Sequence, residues 1–196
     1  MLPFEESFTD GFEGKHWTIL NPDGYITWDT ISVPGIIPQG KSAWVNFYNY
    51  LAIGRRDQLV SPPMDLSSYS SAILWFSHAY AQRSTMRDSL IIKVSDDCGV
   101  NWIRVFAAGP NGTPDAFVTH PPMMDPFYPQ SADDWCSGSY GVDCYQVDIS
   151  PFAGKKDIKV MFESYCRYGN NLFVDNINIS TGVGSGEVTQ DRKSVV

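Results

Sequence analysis

The sequence is built from short segments in which apolar and polar side chains alternate, separated by clusters of Gly, Pro, Asn, Asp and Ser. Alternation with a period of two is typical of a half-buried β-strand, and no segment follows the helical period of 3.6. The clearest segments are residues 72–80, 89–95, 101–108, 157–164 and 171–179, and weaker ones are 4–8, 16–20, 43–47, 57–61 and 144–150. About ten short strands joined by turns predict an all-β fold, a two-sheet antiparallel jelly-roll sandwich.

Two stretches lack this alternation. Residues 109–143 are rich in Pro, Gly, Asp and Ser, and they predict one long loop; connections of this length are usually functional or mobile, so we expect the interaction loop here. The last residues, Thr181 to Val196, combine small and charged side chains as interdomain linkers do. We therefore predict one module over residues 1–180 and a linker, or the start of a next domain, over 181–196.

Composition and charge exclude several partners. Hydrophobic residues make up 43% of the 196, enough for a core that forms without a cofactor. The net charge of −8 repels phosphate backbones and anionic lipids, and the basic pairs are isolated from one another in the sequence. No apolar run approaches the roughly 20 residues that span a bilayer. We expect neither nucleic acid nor a membrane span.

The four cysteines include no CxxC pair, which argues against zinc-ribbon and thioredoxin-like sites. The best local disulfide joins Cys136 to Cys144 across the segment CSGSYGVDC, and Cys98 with Cys166 would then form the second bridge. The alternative is four reduced thiols, with Cys98 and Cys166 filling small gaps.

Residues 95–102, SDDCGVNW, match the spacing of the Asp-box turn motif S-x-D-x-G-x-T-W, with Asn101 in place of Thr. Asp97 can accept hydrogen bonds from following amides, Gly99 can adopt positive φ, and Ser95 and Trp102 can close the turn from either side. The motif predicts a structural hairpin between residues 89–95 and 101–108, not a catalytic aspartate.

Known catalytic constellations are missing from the sequence. It contains no HExxH, GxSxG, Walker loop or G-x-G-x-x-G, and His16, His78 and His120 are far apart. A noncatalytic module is therefore expected, and a hydrolase with an unrecognised site remains as a third hypothesis.

Aromatic residues around the long loop are the better candidates for binding: Tyr128, Trp135, Tyr140 and Tyr145. Flat rings can stack on sugars or anchor protein contacts. In the alternative interpretation, Trp135 and Tyr145 only pack the loop against the sandwich.

Three segments in order, FEESFTDGFEGKHWTILNPDG, LVSPPMDLSSYSSAILWFSHAY and VDISPFAGKKDIKVMFESYCRYGNNLFVDNINI, resemble the MAM-like jelly-roll modules called cleaved-adhesin or choice-of-anchor J domains. The resemblance covers about residues 4–180. It implies an accessory module of a larger secreted or cell-surface bacterial protein of the Bacteroidetes type. It also implies an extracellular location, which supports the disulfide interpretation.

The resemblance further implies a structural calcium ion between the first and last strands, held by Glu6 or its neighbour Glu5 and by Asp175. A carboxylate on an apolar strand face is unfavourable unless it is paired or metal-bound, and calcium prefers oxygen ligands. Alternatively, Asp175 caps a turn or pairs with Arg167, and the two glutamates are solvated. The family often has Phe-Glu where this chain has Phe8-Thr9, which leaves the ligand set open.

The leading hypothesis is a noncatalytic, calcium-stabilised adhesion or accessory module that binds protein or glycan through its loops. The first alternative is a dedicated carbohydrate-binding module with an aromatic stacking platform. Fold alone does not fix function, so both rest on analogy.

Overall fold

The computed structural model describes residues 4–37, 39–109 and 117–182. The predicted linker from residue 183 onwards lies outside the described residues, and the last strand continues two residues beyond the predicted boundary at 180. The strands are β1 (Phe4–Glu6), β2 (Thr18–Leu20), β3 (Trp28–Ser32), β4 (Lys41–Val45), β5 (Arg56–Val60), β6 (Ser71–Tyr80), β7 (Ser89–Ser95), β8 (Ile103–Ala108), β9 (Tyr145–Asp148), β10 (Lys159–Tyr165) and β11 (Leu172–Gly182). Short 3-10 helices lie at Phe47–Asn49, Ala132–Asp134 and Ser150–Phe152.

These strands form two antiparallel sheets, which confirms the predicted all-β sandwich. One sheet has the order β3-β4-β11-β6-β9. On the same edge of β11, β4 pairs with the first half of the strand and β1 pairs with the second half. The other has the order β2-β5-β10-β7-β8. Most neighbours are distant in the sequence, as jelly-roll crossovers require. The sequence analysis identified every strand except β3.

The main core lies between the two sheets. It is filled by side chains that alternate inward on both, among them Trp28, Phe76, Phe162 and Leu59, all essentially inaccessible to solvent. Each such side chain contributes about 1.5 to 3 kcal/mol relative to an exposed position. Among the described residues, no helix is long and apolar enough to cross a membrane.

A β-bulge in β11 changes the predicted direction of its side chains. Strict alternation predicts that Asp175 shares a face with Ile177 and Ile179, and this is wrong. Pairing with β6 shifts by one residue after Asp175, where Asn176 has a φ of 46°. The extra residue turns Ile177 and Ile179 into the core, whereas Asp175 stays with Phe173 on the outer side of the sheet.

The outer side of the six-stranded sheet is covered by the second part of the predicted long loop. Phe127 and Trp135 from this segment pack on Phe173 of β11, and Trp44 of β4 stacks on the same ring at 5.9 Å. The Trp135 indole donates to the carbonyl of Pro34 at 3.1 Å. We call this side the covered face. The described part of the loop is thus a layer packed on the sheet.

The outer side of the five-stranded sheet differs in chemistry. Residues next to the inward-facing ones on β5, β7 and β10 point away from the core, and they include Arg56, Gln58, Lys93, Glu163 and Tyr165. Among the described residues, neither of the two hydrophobic clusters extends onto this side. We call it the charged face.

Candidate functional site

Four connections meet at one end of the sandwich: residues 21–27, 46–55, 81–88 and 166–171. The Tyr50 hydroxyl donates to Asp23 at 2.7 Å, which links the first two connections. The Gly54 amide donates to the Cys166 carbonyl at 2.8 Å, which links the second to the fourth. We call this surface the loop end.

An arginine held between two tyrosines lies at the centre of the loop end. The guanidinium carbon of Arg83 is 4.1 Å from the ring centroid of Tyr48 and 4.7 Å from that of Tyr168. The three residues come from three different connections. Cation–π contacts of this kind contribute about 0.5 to 1 kcal/mol each at exposed sites, and they hold the rings in place.

Large apolar side chains on the connections of the loop end are exposed to solvent. Leu51 is 72% exposed, and Tyr25, Ile53 and Met86 are also exposed. Concentrations of exposed apolar side chains mark interaction sites more often than isolated ones do. The sequence analysis missed these residues, although the apolar run Leu51-Ala52-Ile53 in a segment with turn composition was an available signal.

The buried carboxylate of Asp88 links two of the connections at the loop end. Asp88 is inaccessible to solvent and accepts hydrogen bonds from the amides of Arg167 at 2.7 Å, Gly169 at 3.2 Å and Asn170 at 3.0 Å, and from the Tyr80 hydroxyl at 3.1 Å. Burial raises the pKa of Asp88 to about 6, and these hydrogen bonds oppose the increase. Because the carboxylate joins the start of β7 to residues 167–170, the connections are held in one arrangement.

The charged face has a buried acid at its centre. Glu163 is 3% exposed, and its carboxylate lies 2.5 Å from the Arg56 guanidinium and 2.7 Å from the Lys93 ammonium. The Arg56 guanidinium also stacks over the Tyr165 ring at 4.4 Å. Charge-assisted bonds from the two strands that flank β10 thus converge on one residue.

Two further basic side chains, Arg104 and Lys159, lie on the same face. Arg104 is the cross-strand partner of Lys93, and Lys159 is four residues before Glu163 on β10. Cross-strand partners and residues separated by an even number of positions on a strand share a face. The sheet therefore places four basic side chains on the same face as Glu163, in a protein of net charge −8. Spacing along the chain had predicted only isolated basic pairs.

The four aromatic residues predicted as candidates for binding differ in their exposure. Trp135 is 3% exposed, and Tyr145 lies 4.6 Å from His78 and 4.5 Å from Phe106, ring to ring. Burial raises the pKa of the Tyr145 hydroxyl, as expected for a ring packed into the sandwich. Tyr128 and Tyr140 are exposed. The packing alternative therefore describes Trp135 and Tyr145.

One of the two predicted disulfides is present. Cys136 and Cys144 are bonded, with their Cα atoms 4.8 Å apart. The predicted Cys98–Cys166 bridge is wrong, because Cys98 lies exposed beyond one end of β7 and Cys166 lies buried beside the other end. Seven residues of strand separate these positions by roughly 20 Å, and a disulfide requires Cα atoms within about 7 Å.

The Asp-box residues form the turn between β7 and β8. Asp97 accepts hydrogen bonds from the backbone amide of Asn101 at 2.8 Å and from its side-chain amide at 2.6 Å. The Ser95 hydroxyl accepts from the Gly99 amide at 2.8 Å, and the Trp102 indole donates to the Gly99 carbonyl at 3.1 Å. Hydrogen bonds, first from the Asn101 amide, lower the pKa of Asp97 to about 2. These contacts are those of a structural turn.

The residues predicted to hold calcium lie near the junction of β1 and β11. Glu6 is buried and accepts from the Phe8 amide and the Trp17 indole, both at 2.7 Å, whereas Glu5 is exposed. Asp175 is buried and accepts from the Ser42 hydroxyl and the Asn176 amide, both at 2.6 Å. Asp175 does not pair with Arg167.

These residues fit a hard cation in charge and donor type. Burial raises the pKa of Asp175 to about 7, and the nearby charge of Glu6 adds to the increase. Among the described residues, neither carboxylate takes part in an ion pair. No group of three or more His, Cys, Asp or Glu side chains within the described ranges is arranged to hold a metal. A cation here would therefore need hydroxyl and backbone carbonyl ligands as well, which calcium accepts.

Comparison with solved structures identifies the architecture. The K3 cleaved-adhesin domain of Lys-gingipain from Porphyromonas gingivalis W83 aligns over 92% of this chain and 100% of that domain, with a TM-score of 0.61 and 15% identity. This chain has the fold of a cleaved-adhesin domain. The K1 domain of the same protein aligns over 91% and 98%, with a TM-score of 0.59 and 15% identity. The resemblance seen in the sequence is thus confirmed for the fold.

The same sandwich occurs in the CBM22-1 xylan-binding domain of Paenibacillus barcinonensis Xyn10C, with a TM-score of 0.51 and 10% identity over 92% of this chain and 94% of that one. No family model matches the sequence, and no curated protein shows significant similarity to it.

Proposed function

We propose that this chain is a noncatalytic adhesion module that binds a protein partner through its loop end. The observation that carries the proposal is the Arg83 cluster, in which Tyr48 and Tyr168 clamp the guanidinium amid exposed apolar residues from the surrounding connections. Arg, Tyr and Met are enriched at protein interfaces, and tyrosine and arginine dominate their energetic centres. The fold shared with adhesin domains supports this assignment.

Rigidity is a second argument for the loop end. Asp88 and the Tyr50–Asp23 contact hold the connections before any partner arrives. A surface fixed in advance loses less conformational entropy on binding, which leaves more of the contact energy as affinity.

Binding measurements with variants test this proposal. The probe is a panel of extracellular-matrix proteins immobilised for surface plasmon resonance. Arg83→Ala and Leu51→Ser should each weaken capture at least about 10-fold, as expected when a central interface residue is lost. Lys159→Ala on the charged face is the matched control and should bind like wild type. Equal affinity of all variants for a captured protein would contradict the loop end as the site.

A glycan with acidic groups bound on the charged face is the second candidate function. Arg56 and Lys93 contact the Glu163 carboxylate there, Arg104 and Lys159 lie on the same face, and Tyr165 adds a flat ring. At physiological ionic strength, fields are screened within about 8 Å, so these local charges outweigh the distant negative ones. A xylan-binding neighbour with the same sandwich supports a glycan ligand.

A glycan array that contains both uronate-bearing and neutral oligosaccharides distinguishes the two candidates. Binding on the charged face should favour acidic glycans, weaken as salt increases, and fall in Lys93→Ala but not in Arg83→Ala. Binding that is indifferent to salt and to Lys93 would remove this candidate. Turnover of glycan or peptide substrates by the purified chain would instead support a hydrolase.

We also propose an extracellular location and a structural calcium ion. The Cys136–Cys144 bridge supports the location, because disulfides persist in oxidising compartments. Glu6 and Asp175 would hold the ion, with Ser42 close by, and it would neutralise two buried carboxylates. The melting temperature should rise with calcium and fall in EDTA. Glu6→Gln should reduce this response, and an unchanged response would exclude Glu6 as a ligand.

A further inference from the structure

A second group of buried oxygen atoms lies beneath the loop end, in the other sheet. Both carboxylate oxygens of Asp57 are inaccessible to solvent and have no hydrogen-bond partner of normal geometry, and the same is true of the Ser164 and Thr27 hydroxyl oxygens. The great majority of buried polar atoms in proteins are hydrogen-bonded, and a buried carboxylate without a partner is especially unfavourable.

Strand register brings these atoms together. Asp57 at the start of β5 is the direct partner of Ser164 near the end of β10, and both are fully buried. Thr27 enters from the neighbouring connection, where the adjacent Trp28 indole donates to the Asp57 carbonyl at 3.2 Å. The hydroxyl of Tyr50 donates to Asp23 at 2.7 Å and also lies close to Asp57.

The surrounding charge is negative. Asp23 and Asp88 are further carboxylates at the loop end, and Asp88 is fully buried. The nearest ion pair joins Arg55 to Asp23 at 3.7 Å, and the Arg55 side chain is largely exposed. Among the described residues, no basic group forms an ion pair with Asp57.

We propose that Asp57, Ser164 and Thr27 bind a calcium ion beneath the loop end, separate from the position at Glu6 and Asp175. The donor set is one carboxylate and two hydroxyls, all oxygen, which is the chemistry that hard cations prefer and softer metals do not. The ion supplies the charge that Asp57 lacks and a partner for every unsatisfied oxygen in the group. Through these ligands it joins β5, β10 and the connection 21–27, so the shape of the loop end depends on calcium.

Metal stoichiometry tests this proposal without reference to any ligand of the module. The full chain is stripped with EDTA and titrated with calcium by isothermal calorimetry, in a Glu6→Gln background that removes the other position. This variant should still bind one calcium, with a melting temperature about 5 to 10 °C higher at saturation. Adding Asp57→Asn should abolish both the binding and the shift.

Two more variants keep the test decisive if Asp57→Asn folds poorly. Ser164→Ala removes one proposed ligand and should weaken calcium binding at least 10-fold, whereas Asp133→Asn, an exposed carboxylate elsewhere, should change nothing. Three outcomes would overturn the proposal. They are calcium binding that persists in Asp57→Asn and Ser164→Ala, no calcium binding in the Glu6→Gln background, and an equal response to sodium or potassium alone. If binding were lost in Glu6→Gln and unaffected by the other variants, the chain would bind calcium only at Glu6 and Asp175.

Discussion

The outer faces of the two sheets are built from the same alternating strands, yet one is covered and the other carries charge. On β11 the outward residue Phe173 is apolar, so both sides of the strand are hydrophobic and a further layer is needed. On β10 the outward residues include Lys159 and Glu163, which remain compatible with water. The outward residues of a central strand therefore indicate which sheet face a long connection will cover.

Removing the aromatic centre of the covered face should have the largest effect on stability. Phe173 is fully buried and contacts the rings of Trp44, Phe127 and Trp135. Phe173→Ala should cost about 3 to 5 kcal/mol, from lost burial and the cavity left behind. Tyr165→Ala on the charged face should cost only about 1 kcal/mol, because that ring is half-buried against Arg56. Urea unfolding of both variants measures the difference, and equal losses would contradict it.

The covered face should also be pH-sensitive through Asp175. Because its pKa is raised to about 7, the folded chain binds a proton that the unfolded chain releases near pH 4. Stability should therefore fall as pH rises from about 4 to 7 in EDTA, by on the order of 4 kcal/mol from this group, and then level off.

Asp57 and Asp88 change stability in the same direction, since the pKa of each is raised to about 6. The difference between wild type and Asp175→Asn therefore isolates the contribution of Asp175. Identical pH profiles of the two proteins in chemical denaturation would contradict the assignment. Added calcium should remove most of the decline if Asp175 is a ligand.

Local patterns predicted the strands well because alternation is a property of each segment alone. They failed at Asp175, where a single bulge residue reverses the faces of the following side chains. They also failed for residues 117–143, since loop composition does not indicate whether a few aromatic residues will find an apolar sheet to cover. Surfaces assembled from distant segments, such as Arg83 with Tyr48 and Tyr168, depend on strand order, which spacing along the chain does not encode.

The Cys136–Cys144 disulfide should stabilise the loop segment that packs on the covered face. Cys136→Ser should cost roughly 2 to 3 kcal/mol, because the open loop gains conformational entropy in the unfolded state. Cys98→Ser is the matched control, since that thiol is unpaired and exposed. Thermal unfolding of both variants should show the loss only at Cys136. If reductant destabilised wild type no more than the Cys136→Ser variant, the bridge would contribute nothing.

The smallest stability effect is expected at the centre of the charged face, where Glu163→Gln removes the countercharge of Arg56 and Lys93. Because both basic side chains retain access to water, the loss should be about 1 to 2 kcal/mol, below that for a fully buried pair. The variant should nevertheless bind acidic oligosaccharides more tightly, since the two released basic groups become available to a ligand. Glu13→Gln, at an exposed position, is the control. Reduced stability together with increased acidic-glycan binding would mean that Glu163 holds the basic groups in place at the expense of affinity. Reduced stability together with reduced acidic-glycan binding would mean that Glu163 itself contacts the ligand.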